Sequence, residues 1–260
     1  AAGSYASSRL IEDSDHIISV GCDIRKILPK SSLIKKEMTI VDIDSTQLDP
    51  LLKKNLNINC SSISFIEYLS KDIGNYKTEW NNKYLSQLRI KNNEAEVQEV
   101  SKDSKASIFR ILSNLLCKST VICSDFSYKD VNLQRFYKFS DYRNNILSGG
   151  NGTPGYGFPA AIGAKFSRPK SKVVSISTGT NFQFNMQEMI VALEQKLDLT
   201  IIVLNDKYSN KSMKYKGPDY KSLAESFGAK GYQFNFDSKI EKNLKKTLHV
   251  KGLVLIEVRI

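Results

Sequence analysis

The sequence predicts an α/β protein with mostly parallel, doubly wound sheets, on three observations. Short apolar runs rich in β-branched residues recur along the chain, as in His16–Val20 (HIISV), Met38–Ile43 (MTIVDI), Val173–Ser177 and Thr200–Leu204. Continuous runs of this kind belong to strands buried on both faces. Segments with helical periodicity separate them, the alternation that builds a parallel sheet. Glycine stands at strand-to-loop positions, at Gly21 and throughout Ser148–Ala164, SGGNGTPGYGFPAAIGA.

In chain order, Tyr5–Asp13 has a helical pattern, and His16–Val20 and Met38–Ile43 are strands. Asn57–Ser61 is a third short strand, and Ser64–Lys71 a helix with Ser62 or Ser64 as N-cap. Three strands leave a sheet edge and parts of both faces open, so more chain or a partner is expected to cover them. Gly74–Ser104 is polar and reads as a linker with a helix, into which Trp80, Leu85 and Leu88 pack back. Lys105–Leu116 is an amphipathic helix, with Ile108, Ile111, Leu112 and Leu115 on one face. Val121–Ser124 is a strand and Val131–Phe139 carries an aromatic cluster. A helix over Pro159–Lys165 follows the glycine-rich loop, with proline in its first turn. The strand Val173–Ser177, helix Asn185–Lys196, strand Thr200–Leu204, helix Tyr220–Phe227 and strand Val254–Val258 complete the alternation.

The 260 residues suffice for one large or two medium domains, and 41% hydrophobic with 25% charged residues is ordinary for a globular protein. No apolar run is long enough to span a bilayer, so no membrane association is expected. The N-terminus lacks a signal-peptide pattern and an initiator Met, which predicts a processed or excerpted chain. The net charge of +11 comes from scattered lysines rather than a basic helix, so no nucleic-acid partner is expected. Cys22, Cys60, Cys117 and Cys123 form no C-x-x-C pair and read as buried free thiols of a cytoplasmic protein. With His16 and His249 as the only histidines, a His-based zinc site is not expected.

In an open parallel sheet, ligands bind beyond the carboxyl ends of the strands. Three such ends stand out: the glycine-rich loop, Ser175–Asn185 (SISTGTNFQFN) and Val203–Asp206 (VLND). The loop glycines let backbone approach a ligand, and the helix after them favours anions at its N-terminus.

These segments resemble the thiamine diphosphate (ThDP) enzymes, in particular the acetolactate (acetohydroxyacid) synthase branch. The similarity runs through SGGNGTPGYGFPAAIGAKFSRP, VVSISTGTNFQFNMQEM, TIIVLND, KSLAESFGAKGYQF and LVLIEVRI. Upstream, YASSRLIEDSDHIISVGCDI and TIVDIDSTQL resemble the second half of that family's central domain. The resemblance implies a partial Rossmann-like central domain over 1–74, a linker with a helix over 75–104 and a ThDP-diphosphate-binding domain over 105–260. It implies ThDP and Mg²⁺ as cofactors, with Gly152, Thr153, Pro154, Thr180, Asn181 and Asp206 at the cofactor and Asp206 and Tyr208 as metal ligands. Flavin is not expected, because that family's flavin-binding features are incomplete.

Where the family has G-D-G-S, this chain has Thr178, Gly179, Thr180 and Asn181, and the family's N-N is Asn205 and Asp206. Gly179 to Asp206 is 206 − 179 = 27 positions, a spacing that fits the family motif, but Gly179 stands where the metal-binding aspartate belongs. Pro154 replaces the bulky residue that props the cofactor, and Ser127, Tyr128 and Lys129 replace G-Q-H. The family's activating glutamate lies in a pyrimidine-binding domain that nothing here resembles, so no residue of this chain is given a catalytic role. Two readings stay open. One is ThDP-dependent decarboxylation of a small 2-oxo acid and carboligation, in a homo-oligomer. The other is a non-catalytic member that partners an intact ThDP-enzyme subunit.

Overall fold

A computed structural model describes residues 4–22, 36–44, 55–74, 80–125, 133–148, 152–206 and 217–260. They fall into two compact units, 1–98 and 99–260.

The first unit holds α1 (Tyr5–Asp13), β1 (His16–Val20), β2 (Glu37–Asp42), β3 (Asn55–Asn59) and α2 (Ser62–Asp72). Its sheet has the order β1-β2-β3, all parallel. Ser4 and Ser61 cap the two helices through their hydroxyls, so the cap of α2 lies one residue before the earlier of the two serines the sequence suggested. Met38, Ile40 and Val41 of β2 are buried, as a central strand requires. Ile18 and Leu56 on the flanking strands are exposed, and so are Ile63, Ile66 and Tyr68 on α2. In the polar stretch that follows, where a helix was expected, α3 (Asn82–Lys102) is a helix of 21 residues, with Leu88 as its buried residue.

The second unit contains α4 (Ser104–Leu115), β4 (Val121–Ser124), α5 (Leu133–Phe136), β5 (Asn145–Leu147) and α6 (Gly157–Ser167). Then come β6 (Val173–Thr178), α7 (Gly179–Phe182), α8 (Met189–Glu194), β7 (Leu199–Asn205), α9 (Tyr220–Phe227), β8 (Lys230–Asn235), α10 (Ile240–Thr247) and β9 (Leu253–Arg259). The six strands form one sheet of order β5-β4-β6-β7-β9-β8, and every pairing is parallel.

Strand alternation explains why both faces are covered. Ile122, Val174, Ile176, Ile202, Leu204, Val254 and Ile256 meet α4, α5 and α10 in one core. Their neighbours Val121, Cys123, Val173, Ile201, Val203 and Leu255 meet α6, α7, α8 and α9 in the other. Helices on both faces make the continuous apolar strands of a doubly wound sheet. The α/β class with parallel, doubly wound organisation therefore holds.

The order also fixes where a ligand site lies. From β4 the chain moves outward to β5, whereas from β6 it moves the other way to β7. The carboxyl ends of β4 and β6 thus flank the topological switch point, where open α/β sheets bind ligands.

Cys123 is buried, Cys22 and Cys60 are half-buried and Cys117 is exposed, so only one of the four free thiols has the burial expected of them. Burial pushes the Cys123 thiol up to about 12, which makes it inert. Among the described residues no helix is long and apolar enough to cross a membrane.

Candidate functional site

The carboxyl end of β4 carries a residue the sequence reading passed over. Asp125 follows the strand and is only 3% exposed. Its Oδ2 accepts a hydrogen bond from the backbone N–H of Gly155 at 3.1 Å. Gly155 has φ +80°, and its carbonyl accepts from Asn185 Nδ2 at 2.9 Å. Both polar groups of this glycine are therefore held, one by β4 and one by the segment after β6. Asp125 Oδ1 and Ser177 Oγ are buried without a well-formed hydrogen bond. Burial pushes the Asp125 carboxyl up to about 6, against the opposing pull of Asn181, Gly155 and Ser177.

The glycine-rich segment reaches the carboxyl end of β4 through Gly155. Gly152 is left-handed at φ +61°, and Thr153 N–H donates to Ser148 Oγ at 2.8 Å. Gly157 opens α6 against the backbone of Ser124 and Asp125, where an added Cβ would stand 3.1 Å from three backbone atoms. Thr153 and Pro154 are exposed and Gly152 half-buried.

At the end of β6, Thr178 Oγ1 accepts from Asn181 N–H at 3.3 Å and caps α7. That hydroxyl is engaged in shaping the turn. Thr180 is exposed and Asn181 half-buried. Gly179 is buried, and the space a side chain would take is filled. A Cβ built there would lie 2.7 Å from the Tyr220 phenol oxygen, 3.2 Å from Cζ and 3.3 Å from Cε2. Tyr220 opens α9, is 1% exposed, and its hydroxyl accepts from Gln183 Nε2 at 2.9 Å.

Gly179 and Asp206 leave neighbouring strands, since Thr178 pairs with Leu204 in the β6–β7 register. The Asp206 carboxylate meets Lys105 Nζ at 3.2 Å. Just before it, buried Asn205 donates to the fully buried Glu257, which also accepts from Arg259 Nε at 3.2 Å. The structure thus gathers Gly155, Asn181, Ser177 and Asp125 at the switch point, and places Asp206 beside Lys105. Tyr208, Ser127, Tyr128, Lys129, Gly149 and Gly150 lie outside the described residues. Asp125 was detectable as a carboxylate directly after a buried strand. Tyr220, Gln183 and Lys105 carried no such signal.

Comparison with known proteins shows the family of the chain. The family profile described as "Thiamine pyrophosphate enzyme, C-terminal TPP binding domain" matches residues 129–258, half of the chain. A "Probable acetolactate synthase large subunit" of Methanococcus aeolicus is 25% identical over 297 residues, covering 99% of this chain and 49% of that protein. The acetolactate synthase large subunit of Porphyra purpurea is 30% identical over 166 residues, 58% of this chain and 28% of that protein. The acetolactate synthase isozyme 3 large subunit of Escherichia coli K12 is 24% identical, covering 99% of this chain and 50% of that protein. The chain spans about half the length of the relatives it matches along its whole course. It belongs to the thiamine pyrophosphate enzyme family and carries that family's C-terminal TPP-binding domain.

Proposed function

We propose that this chain is a non-catalytic member of the acetolactate synthase branch, acting as a structural or regulatory partner of an intact large subunit. The observation that carries this reading is the buried contact between Gly179 and Tyr220. Mg²⁺ demands near-octahedral oxygen ligands. Gly179 supplies no side chain, and the Tyr220 phenol fills the volume an aspartate would need. The remaining carboxylate, Asp206, is engaged by Lys105. Among the described residues no group of three or more His, Cys, Asp or Glu could hold a metal ion. These residues do not fit a Mg²⁺-bridged diphosphate, so no step of 2-oxo acid decarboxylation or carboligation is assigned to them.

The retained parts support the structural half of the proposal. The six-stranded sheet and the turn at Gly155 stand beside Gly179, the position without a carboxylate. The relatives are large subunits, which makes an intact large subunit, or a second copy of this chain, the natural partner. Calorimetric titration of the chain with ThDP in excess Mg²⁺ tests the reading. The expected result is no heat of binding at micromolar concentrations. Micromolar binding that vanishes when the metal is chelated would contradict it.

A further inference from the structure

We propose that this chain carries its own substitutes for the family's metal: the Tyr220 phenol takes the ligand's volume, and the Lys105 ammonium takes the cation's place beside Asp206. The inference rests on the non-catalytic reading and goes beyond it. It states that the loss at residue 179 has been built over, so that returning one carboxylate does not restore the site.

The first substitute is rigid. Tyr220 is buried, and its ring meets Phe182 edge-on, with centroids 6.1 Å apart at 63°. Phe182 in turn packs against Phe158 at 5.6 Å. Gln183 Nε2 donates to the phenol oxygen at 2.9 Å and lies 3.3 Å from the Gly179 carbonyl. The phenol is therefore tied by a side chain to the residue whose space it occupies. A buried, hydrogen-bonded aromatic ring cannot swing aside as a surface side chain would.

The second substitute is a positioned charge. Asp103 caps α4, accepting from Lys105 N–H at 2.8 Å and Ala106 N–H at 3.4 Å, which fixes where the Lys105 side chain leaves the helix. Its Nζ then reaches Asp206, 101 residues later in the chain, at 3.2 Å. Lysine acts as a compact point charge on a carboxylate. A divalent ion approaching Asp206 would have to displace this ammonium.

Thermal unfolding of the 260-residue chain and its variants, without ligand and then in excess ThDP with and without Mg²⁺, tests the proposal. Gly179→Ala should lower Tm by roughly 2–12 °C, because it forces a methyl against the phenol. In a Tyr220→Leu background the same change should cost less than half as much. Tyr220→Phe, which removes only the nearest atom, gives a second and gentler background in which the cost should also fall. Gly179→Asp alone should show no rise in Tm with Mg²⁺, whereas Gly179→Asp combined with Tyr220→Leu and Lys105→Ala should show one. The proposal is overturned if the costs at 179 and 220 simply add in both backgrounds. A Mg²⁺ response of Gly179→Asp alone, or none in the triple variant, overturns it as well. The cycle at 179 and 220 is read without any ligand, so its failure is distinct from a failure of the non-catalytic reading, which ThDP titration of the unmodified chain decides.

Discussion

Asp125→Asn is expected to stabilise the protein at neutral pH and to do so only there. The carboxyl is pushed up to about 6 from an ordinary 3.8, chiefly by burial. A raised folded-state pKa means that the folded protein binds the proton more tightly than the unfolded chain. The contribution of Asp125 to stability is then fully present below about pH 4 and is lost as pH rises through about 6. A rise from 3.8 to about 6 corresponds to about 3 kcal/mol, the cost of holding an ionised carboxylate buried in this place. Asparagine keeps an acceptor for Gly155 N–H and never ionises. Urea unfolding should show a gain of about 2–3 kcal/mol at pH 7.5 that disappears near pH 4. An equal effect at both pH values would mean that ionisation of Asp125 is not the cause.

Gly155→Ala is expected to be among the most damaging single substitutions in the second unit. Its backbone is left-handed, at φ +80°, where a side chain is strained. A methyl there would also stand 2.7 Å from Phe184 Cβ, 2.8 Å from Asn185 Nδ2 and 3.2 Å from the Asn181 carbonyl. Strain and overpacking together cost about 2–4 kcal/mol. The loss should appear as a lowered urea midpoint with an unchanged slope, and hydrogen exchange should rise first at the N-terminus of α6 and in α7. A neutral Gly155→Ala would mean that the turn does not require glycine.

Much of the fold was legible because buried parallel strands write themselves as β-branched apolar runs. Val121–Ser124 and His16–Val20 have the bounds the sequence suggested, as do the helices Tyr5–Asp13 and Tyr220–Phe227. The elements that escaped lack such a run. β5 is only Asn-Ile-Leu, and β8 is Lys-Gly-Tyr-Gln-Phe-Asn, with no exclusively apolar stretch. α10 shows just two core residues one turn apart, Ile240 and Leu244, among lysines. The helix expected over Asn185–Lys196 is a 3₁₀ turn at Met186–Glu188 followed by α8, because the segment first turns beneath Gly155 to deliver Asn185 to its carbonyl.

The site divides along similar lines. Ordered short motifs carried the family, and they also marked Gly179 as the departure. The surroundings of Gly179 were not legible. Tyr220 reads as an ordinary apolar position of an amphipathic helix, and only the packing of α9 against β8 and β9 brings its hydroxyl to Gly179. Lys105 reads as one of many scattered lysines, and only the tertiary fold brings its Nζ to Asp206. Both are contacts between residues far apart in sequence, which local pattern does not encode.

On the non-catalytic reading, this ThDP-enzyme domain keeps its fold without building a metal site. Electron paramagnetic resonance of Mn²⁺, a paramagnetic stand-in for Mg²⁺, tests it most directly when the ion is titrated into the chain with ThDP present. The free Mn²⁺ signal of the ThDP solution is expected to be unchanged by adding protein. A stoichiometric loss of that signal, one ion per chain, would contradict it.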